Sequence, residues 1–588
     1  MSEPRLLLGP LLRYVGRGEA TIWVETDRPC VVTVATHADT ATSPDAVGRG
    51  PTWSVHGHHY ALVQVEGLAE GSVSAYSVSL DDTRVWPEPD SIYPPSVIRT
   101  LSADSSMRLA FGSCRRVAPF DEAGLEEMGA DALAAMAERM RTDPYERWPD
   151  ALFMAGDQIY ADEPSPELVA RLHETHAPAP PGREEVVDEV WNFEEYTWLY
   201  RESWSPAPVR WLLSTVPTCM LLDDHDLRDD WNTSLAWRRE VTATAWWRDR
   251  VVGAFASYWV YQHLGNLSPH ELARDTVYRR LLDEPDDVAR TAALDDFAWR
   301  SDAQIGTARW SFVRDFGTEQ CRTRLVAMDC RASRDLRPGH RLMIDDREWE
   351  WIAAQALEPA THLMLGATLP VLLPRGIHHL EGWDEAWASG RYGRAAQGVA
   401  EWMRQAVDLE HWSAFRISFG RVVELLRRVC GAPQPPQTVL FLSGDVHCSY
   451  TASARLADTP HPGTAIRQLT MSPFRNSLPL PIKIVNRLFE RAPIRYATRA
   501  WSRAFGVQDT GLTWAVDSGP WFQNGVMTVV FDGAQARVEI DRATHSGEVQ
   551  RLERVAVLDL CPQQEPPPAD PVGCEPAGPV RLDRPDGA

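Results

Sequence analysis

The 588-residue sequence contains no apolar run approaching the roughly 20 residues that a membrane-spanning helix needs. It lacks CxxC-type spacing: its nine cysteines, at 30, 114, 219, 321, 330, 430, 448, 561 and 574, are scattered and odd in number. Most read as reduced, buried small apolar residues of a cytoplasmic protein, with Cys114 set apart by its neighbours. Basic residues are in deficit, with 59 Lys and Arg against 82 Asp and Glu and a formal charge of −23. That balance disfavours duplex nucleic acid and anionic membrane as partners, since both require basic surface, whereas acidic clusters suit cations. Internal repeats are absent. The N-terminus, MSEPRLLLGPLLRYVG, has an early acid and a short apolar stretch broken by Pro10. It reads as a first strand rather than an export signal, so the expected location is the cytoplasm.

What is abundant is tryptophan, 24 residues of it. Burial of an indole is costly unless its N–H finds a partner, so most are expected half-buried. The Trp-rich segments 191–211, 231–247 and 383–412 read as core helices in preference to a lid. Residues 1–104 show short alternating runs (20–24, 30–35, 59–65 and 74–80) separated by turn residues, which predicts a small β-sandwich. Its Leu68, Gly71 and Tyr76 resemble the tyrosine corner of fibronectin type III-like domains. Residues 105–560 change character. Apolar runs at 109–111, 151–155, 218–222, 325–328, 363–365 and 439–442 alternate with helical stretches such as 122–141, 346–357 and 422–429, predicting an α/β sandwich with strands buried on both faces. Residues 526–560 read as late edge strands. The Pro- and acid-rich tail 561–588 is expected to be disordered.

Four apolar runs end in side chains that can bind metal, and in α/β sheets ligands gather at the carboxyl ends of strands. They are LAFGSC, ending at Cys114; LFMAGDQIYADE, with Asp157, Tyr160 and Asp162; MLLDDHD, with Asp223, Asp224, His225 and Asp226; and FLSGDVH, with Asp445 and His447. Gly156 permits a sharp turn at a strand end. A carboxylate at Asp157 can bridge two cations, and a phenol at Tyr160 can become a ligand beside a highly charged ion. Three carboxylates within four residues repel one another unless a cation or a basic partner such as Arg228 offsets them. Each motif alone also reads as a helix cap with a packed neighbour.

In this order, GSC, GDQIYAD, DDHD with DDWN, and GDVH resemble the alkaline phosphatase D-like (PhoD-like) branch of the calcineurin-like metallophosphoesterases. The resemblance extends to the preceding β domain and to the segment 471–477 (MSPFRNS). It implies an Fe(III) ion held by Cys114, Asp157, Tyr160 and His447. A second ion, calcium, would be held by Asp157, Asp224 and Asp445, with manganese, magnesium or zinc as alternatives there. His225 would contact phosphate or protonate the leaving group. Arg115 and Asn232 are candidates for holding phosphate oxygens, although Arg115 reads equally as a salt-bridge residue. Two departures stand out. That branch is usually exported, and Asp226 occupies a position where many members carry Glu.

The function this predicts is a metal-dependent phosphoric-ester hydrolase acting on a small phosphate ester, by in-line attack of a metal-activated hydroxide on phosphorus. A phosphomonoesterase is the first reading and a phosphodiesterase or phospholipase D-like hydrolase the second. A non-catalytic, metal-stabilised binding protein is the more distant alternative.

Overall fold

The computed structural model describes residues 3–37, 45–102, 106–177, 181–318, 320–337, 339–390, 392–406, 409–457, 463–476, 492–507 and 510–561. The predicted tail beyond 561, and Ser477 of the segment after the last motif, lie outside the described residues. Two antiparallel sheets form first. One orders Leu6–Val15, Glu19–Thr26, His58–Glu66 and Trp53–Val55; the other orders Ala46–Pro51, Val31–His37, Val73–Leu80 and Thr83–Trp86, with Val97–Arg99 also pairing to Val73–Leu80. Their alternating inward residues, among them Leu12, Ile22, Val34, Val63 and Val78, make the sandwich core.

Two larger sheets follow, packed face to face. The six-stranded one runs Thr218–Leu221, Ala151–Ala155, Ser106–Gly112, Gly525–Asp532, Gln535–Ser546 and Val549–Asp559. The seven-stranded one runs Phe312–Gly317, Arg322–Met328, His362–Ala367, Thr438–Ser443, Ala465–Thr470, Ser449–Leu456 and Leu512–Trp521. Phe111, Phe153, Met527 and Val529 from the first meet Leu325, Met364, Leu440 and Leu442 from the second in a dry layer. The apolar runs are continuous because these strands are covered twice, by the opposing sheet and by helices. The late strands are only partly an edge. Gly525–Asp532 lies inside its sheet, antiparallel to Ser106–Gly112, and Val549–Asp559 alone is terminal. The stretch read as one helix over 122–141 is two, Glu122–Met128 and Ala132–Thr142, divided at Gly129 (φ 77°).

The expectation of half-buried tryptophans is overturned for a large group of them. Trp23, Trp204, Trp211, Trp231, Trp246, Trp247, Trp259 and Trp412 are each less than 2% exposed. Some indoles are satisfied, as in Trp211 donating to the Pro94 carbonyl at 2.7 Å, while the N–H groups of Trp204, Trp231 and Trp247 have no partner. The apolar area that whole indoles remove from water outweighs the unmade bonds.

The N-terminal sandwich shares a core with the helices over the larger sheets: Leu8, Trp23, Trp53 and Tyr60 pack with Tyr200, Trp259 and Tyr261. Tyr76 does not close a corner on its own backbone; its hydroxyl crosses to the Ser214 carbonyl at 2.6 Å. Arg13, 1% exposed, donates to the carbonyls of Tyr261 (3.0 Å) and Gln262 (2.7 Å) in the π-helical turn Trp259–His263. At the rim, His58 bridges Glu25 (3.1 Å) and Glu194 (2.6 Å), and Arg201 reaches Glu25 at 2.5 Å.

Burial opposes the charged form of His58, but the hydrogen bonds to Glu194 and Glu25 raise its pKa from 6.5 to about 9. A raised pKa stabilises the fold fully below pH 6.5, and that contribution is lost as pH climbs through about 9. With partial solvent screening it is worth on the order of 1 kcal/mol. The melting temperature should therefore fall between pH 6.5 and 9 more steeply in the wild type than in His58→Gln. Parallel pH profiles for the two proteins would reject this ion-pair lock.

Candidate metal centre

Four parallel strand ends converge. Ser106–Gly112, Ala151–Ala155 and Thr218–Leu221 are neighbours in one sheet, and Thr438–Ser443 faces them from the other. After three of the four the chain turns sharply. Gly156 has φ 95°, and the non-glycine residues Cys114 (56°), Asp157 (55°), Asp445 (64°) and His447 (45°) all take the left-handed conformation. That costs about 1–2 kcal/mol per residue and persists only where the surroundings over-determine it. Here Cys114 N–H donates to the Gly156 carbonyl (3.2 Å), Arg115 N–H to the Asp157 carbonyl (3.0 Å), and Asp445 N–H to Ser113 Oγ (3.0 Å). A Cβ on Gly156 would lie 2.6 Å from the Asp223 Cβ, and one on Gly444 would lie 2.0 Å from Ser113 Oγ. Both glycines are therefore fixed by close approach.

Two groups of donor atoms result, each with its atoms within 4.8 Å of one another: Cys114, Asp157 and His447, and Asp157, Asp223, Asp224 and Asp445. Asp157 belongs to both. Tyr160 joins the first group through Asn476, whose amide donates to the Tyr160 hydroxyl at 2.9 Å and lies 3.3 Å from His447 Nε2. The residues fit a pair of cations on two grounds. Asp157 Oδ1, Asp223 Oδ2 and Asp224 Oδ1 are buried without a hydrogen-bond partner. The titrating groups also carry the cost of missing positive charge. Burial, then repulsion from Asp223, pushes Asp157 and Asp445 well above the carboxylate range. Burial and the Asp157 and Asp445 carboxylates push the Cys114 thiol up, and burial raises the Tyr160 phenol. Burial lowers His447 to about 3, leaving a neutral imidazole suited to coordination.

The flanking residues divide by task. Asp226 is a brace: one oxygen accepts the backbone N–H of Asp157 (3.1 Å) and of Asp223 (2.9 Å), and the other accepts the Gln262 amide at 3.2 Å. His225 stacks on Tyr160 with centroids 4.5 Å apart and holds Asp162 through Nδ1 at 3.0 Å, with Nε2 3.9 Å from Asp229 Oδ1. Burial would lower its pKa, but Asp162 raises it well above 6.5.

Two expected residues have their polar atoms engaged by other side chains and carbonyls. Arg115 is 2% exposed and pairs with Asp131 (2.7 Å) and with the Ser203 carbonyl (2.7 Å), which is the salt-bridge role also read for it. Asn232 donates to the Arg331 carbonyl (3.2 Å) and accepts from Arg238 (2.8 Å).

Arg331 went unread in the sequence. It is fully buried, pairs with Asp223 and Glu410, and lies 3.2 Å from Asp224 and 3.3 Å from Asp445. His411 was also missed: held by Glu381 at 2.7 Å, it sits 3.7 Å from Asp445. Arg331 had a usable signal, since it follows the apolar run 325–328 as the motif residues follow theirs. His411 had none.

Comparison with known proteins gives consistent results. Residues 110–476 match the family model described as PhoD-like phosphatase, and residues 3–98 match a domain of unknown function, DUF7800. A solved structure of PhoD superposes with a TM-score of 0.55 at 12% identity, covering 95% of this chain and 93% of that chain, which shows a shared fold. An amylomaltase from Corynebacterium glutamicum aligns at 12% identity over 61% of this chain and 55% of its own, but its TM-score of 0.10 carries no structural argument. No curated protein matches the chain.

Asp157→Asn removes the one negative charge that both donor groups share. It is expected to lower metal content at both positions by elemental analysis, whereas Asp226→Asn, outside both groups, should retain the first ion. Full metal content in Asp157→Asn would refute the bridging placement.

Proposed function

Because the chain belongs to the PhoD-like phosphatase family, a metal-dependent group of phosphoester hydrolases, we propose that it cleaves small phosphate monoesters at a centre of two cations joined by Asp157. The observation that carries this reading is the sharing of that one carboxylate between a mixed sulfur, nitrogen and oxygen group and an all-carboxylate group. Cys114, Tyr160 and His447 suit Fe(III), and Asp224 and Asp445 suit calcium or another hard divalent ion. When bound, the pair supplies Lewis-acid chemistry at the phosphoryl oxygens and an activated water.

The residues of the chain do the rest. Asp157, Asp224 and Asp445 would hold the ions that orient the phosphoryl group. Asp226 stiffens two of the turns through their amides. Asp162 accepts from His225 Nδ1 and raises the pKa of the ring, so that the imidazolium form also carries a proton on Nε2, the atom assigned to protonate the leaving oxygen. Tyr160, stacked beneath the same ring, keeps the imidazole from turning away.

His225→Ala is expected to retain its metals and lose about 10²–10⁴-fold in turnover of an alkyl phosphate, with a smaller loss for an activated aryl ester that departs without protonation. Equal losses on both substrates would remove His225 from the role of acid. Elemental analysis with a visible spectrum tests the centre itself. One iron per chain with a purple-blue phenolate band is expected, and the band should vanish in Tyr160→Phe. A protein that takes up no iron and hydrolyses neither mono- nor diesters with calcium, manganese or zinc overturns the proposal.

A further inference from the structure

Beside the all-carboxylate donor group stands a ring to which no step above gives a task. His411 precedes the short turn Trp412–Ala414, and its chain neighbours are pinned on both sides. Glu410 pairs with Arg331 and Arg334, and the Trp412 indole N–H donates to the Leu369 carbonyl at 3.2 Å. The ring itself is held through Nδ1, 2.7 Å from Glu381 Oε1. Glu381 is fully buried on the helix Arg375–Ala388, and its other oxygen accepts the Ser413 hydroxyl. These contacts hold the imidazole in one orientation.

That orientation leaves Nε2 buried without a hydrogen-bond partner, 3.7 Å from Asp445 Oδ2. Such a separation is too long for a hydrogen bond, and a buried polar atom left unbonded is unfavourable. Nor is Nε2 placed as a ligand. The mutually close donor atoms belong to Asp157, Asp223, Asp224 and Asp445, and His411 is not among them. The side chains of His411 and Asp445 keep 12% and 18% exposure, whereas Asp223 and Arg331 have none, so solvent reaches the first pair and not the second. The Glu381 carboxylate at one nitrogen and a phosphoryl anion at the other both favour the imidazolium form, in which Nε2 carries a proton and donates.

Resting on the reading that the centre hydrolyses phosphate esters, we propose that His411 contacts the substrate: its Nε2–H donates to a phosphoryl oxygen beside Asp445, and Glu381 is the positioning residue that aims it. The two imidazoles then have different tasks. His225, stacked on Tyr160, serves the oxygen that leaves. His411 serves an oxygen that stays on phosphorus, so its bond is made in the bound substrate and kept in the transition state. Loss of such a bond raises KM and changes kcat less. This contact fills the task expected of Arg115 and Asn232, whose polar atoms are engaged by other groups.

Titration calorimetry of the metal-loaded protein with inorganic phosphate, beside elemental analysis and steady-state kinetics on phenyl phosphate, tests the assignment. His411→Ala is expected to keep the wild-type metal content, to weaken phosphate binding about tenfold or more, and to raise KM by a similar factor with a smaller change in kcat. His411→Gln, whose amide can replace Nε2 as a donor, should recover part of the affinity. Loss of metal from His411→Ala, or a phosphate affinity equal to that of the wild type, overturns the assignment. Should His411→Ala fail to fold, Glu381→Gln leaves the ring in place and is expected to weaken phosphate binding several-fold; unchanged affinity there overturns it equally. Failure of the underlying reading looks different. A wild-type protein that carries its metals but neither binds phosphate nor hydrolyses an ester removes that reading, and this assignment with it.

Discussion

The carboxylate of Asp157 is shared, and the rest of the centre is arranged around that fact. It meets Cys114 Sγ at 3.2 Å on one side and the buried acids Asp223, Asp224 and Asp445 on the other. Negative charge at this density in a buried site is unfavourable by many kcal/mol without compensation. Arg331 supplies part of the compensation from below, paired with Asp223 and close to Asp224 and Asp445. It is itself anchored by Glu410, which Arg334 and Thr233 hold in turn. The three orphaned carboxylate oxygens mark what remains for cations to supply.

Much of the centre was legible in the sequence because each ligand motif is local. An apolar run and its first donor stand within six or seven positions, and the strand end carries the donor to the common edge. Cys114, Asp157, Tyr160, Asp224, Asp445 and His447 are brought together in this way. What could not be read was long-range. Asn476 reaches Tyr160 across 316 positions of sequence, and Arg331 meets Asp445 across 114. Arg115 neighbours Cys114 in the chain, and nothing in that adjacency shows that its side chain is engaged by Asp131. The tryptophans misled because a preference for half-burial describes single indoles, and here they pack on one another and on tyrosines in a shared core. The β-sandwich and the α/β sandwich were both readable from periodicity, but the interior position of Gly525–Asp532 was not, since pairing order is not written in a strand's own residues.

The N-terminal sandwich is tied to the chemistry by a short chain of contacts. Arg13 holds the carbonyls of Tyr261 and Gln262, the Gln262 amide donates to Asp226, and Asp226 receives the amides of Asp157 and Asp223. Backbone and side chain of one residue of the π-helical turn Trp259–His263, Gln262, thus meet Arg13 and Asp226. A module that would otherwise be read as an appendage thus braces the turns that present the ligands.

The strand Ser106–Gly112 has one neighbour, Ala151–Ala155, that follows it closely in the chain, while its other, Gly525–Asp532, pairs Ser106 with Asp532. During synthesis, the edge of this strand emerges from the ribosome long before its partner exists. Its apolar residues Leu109 and Phe111, which end fully buried, must be shielded for that whole interval by transient contacts or by chaperones. Closure of the sheet, and with it the final setting of Cys114, therefore belongs to the last stage of assembly, and pairings this distant make that stage slow.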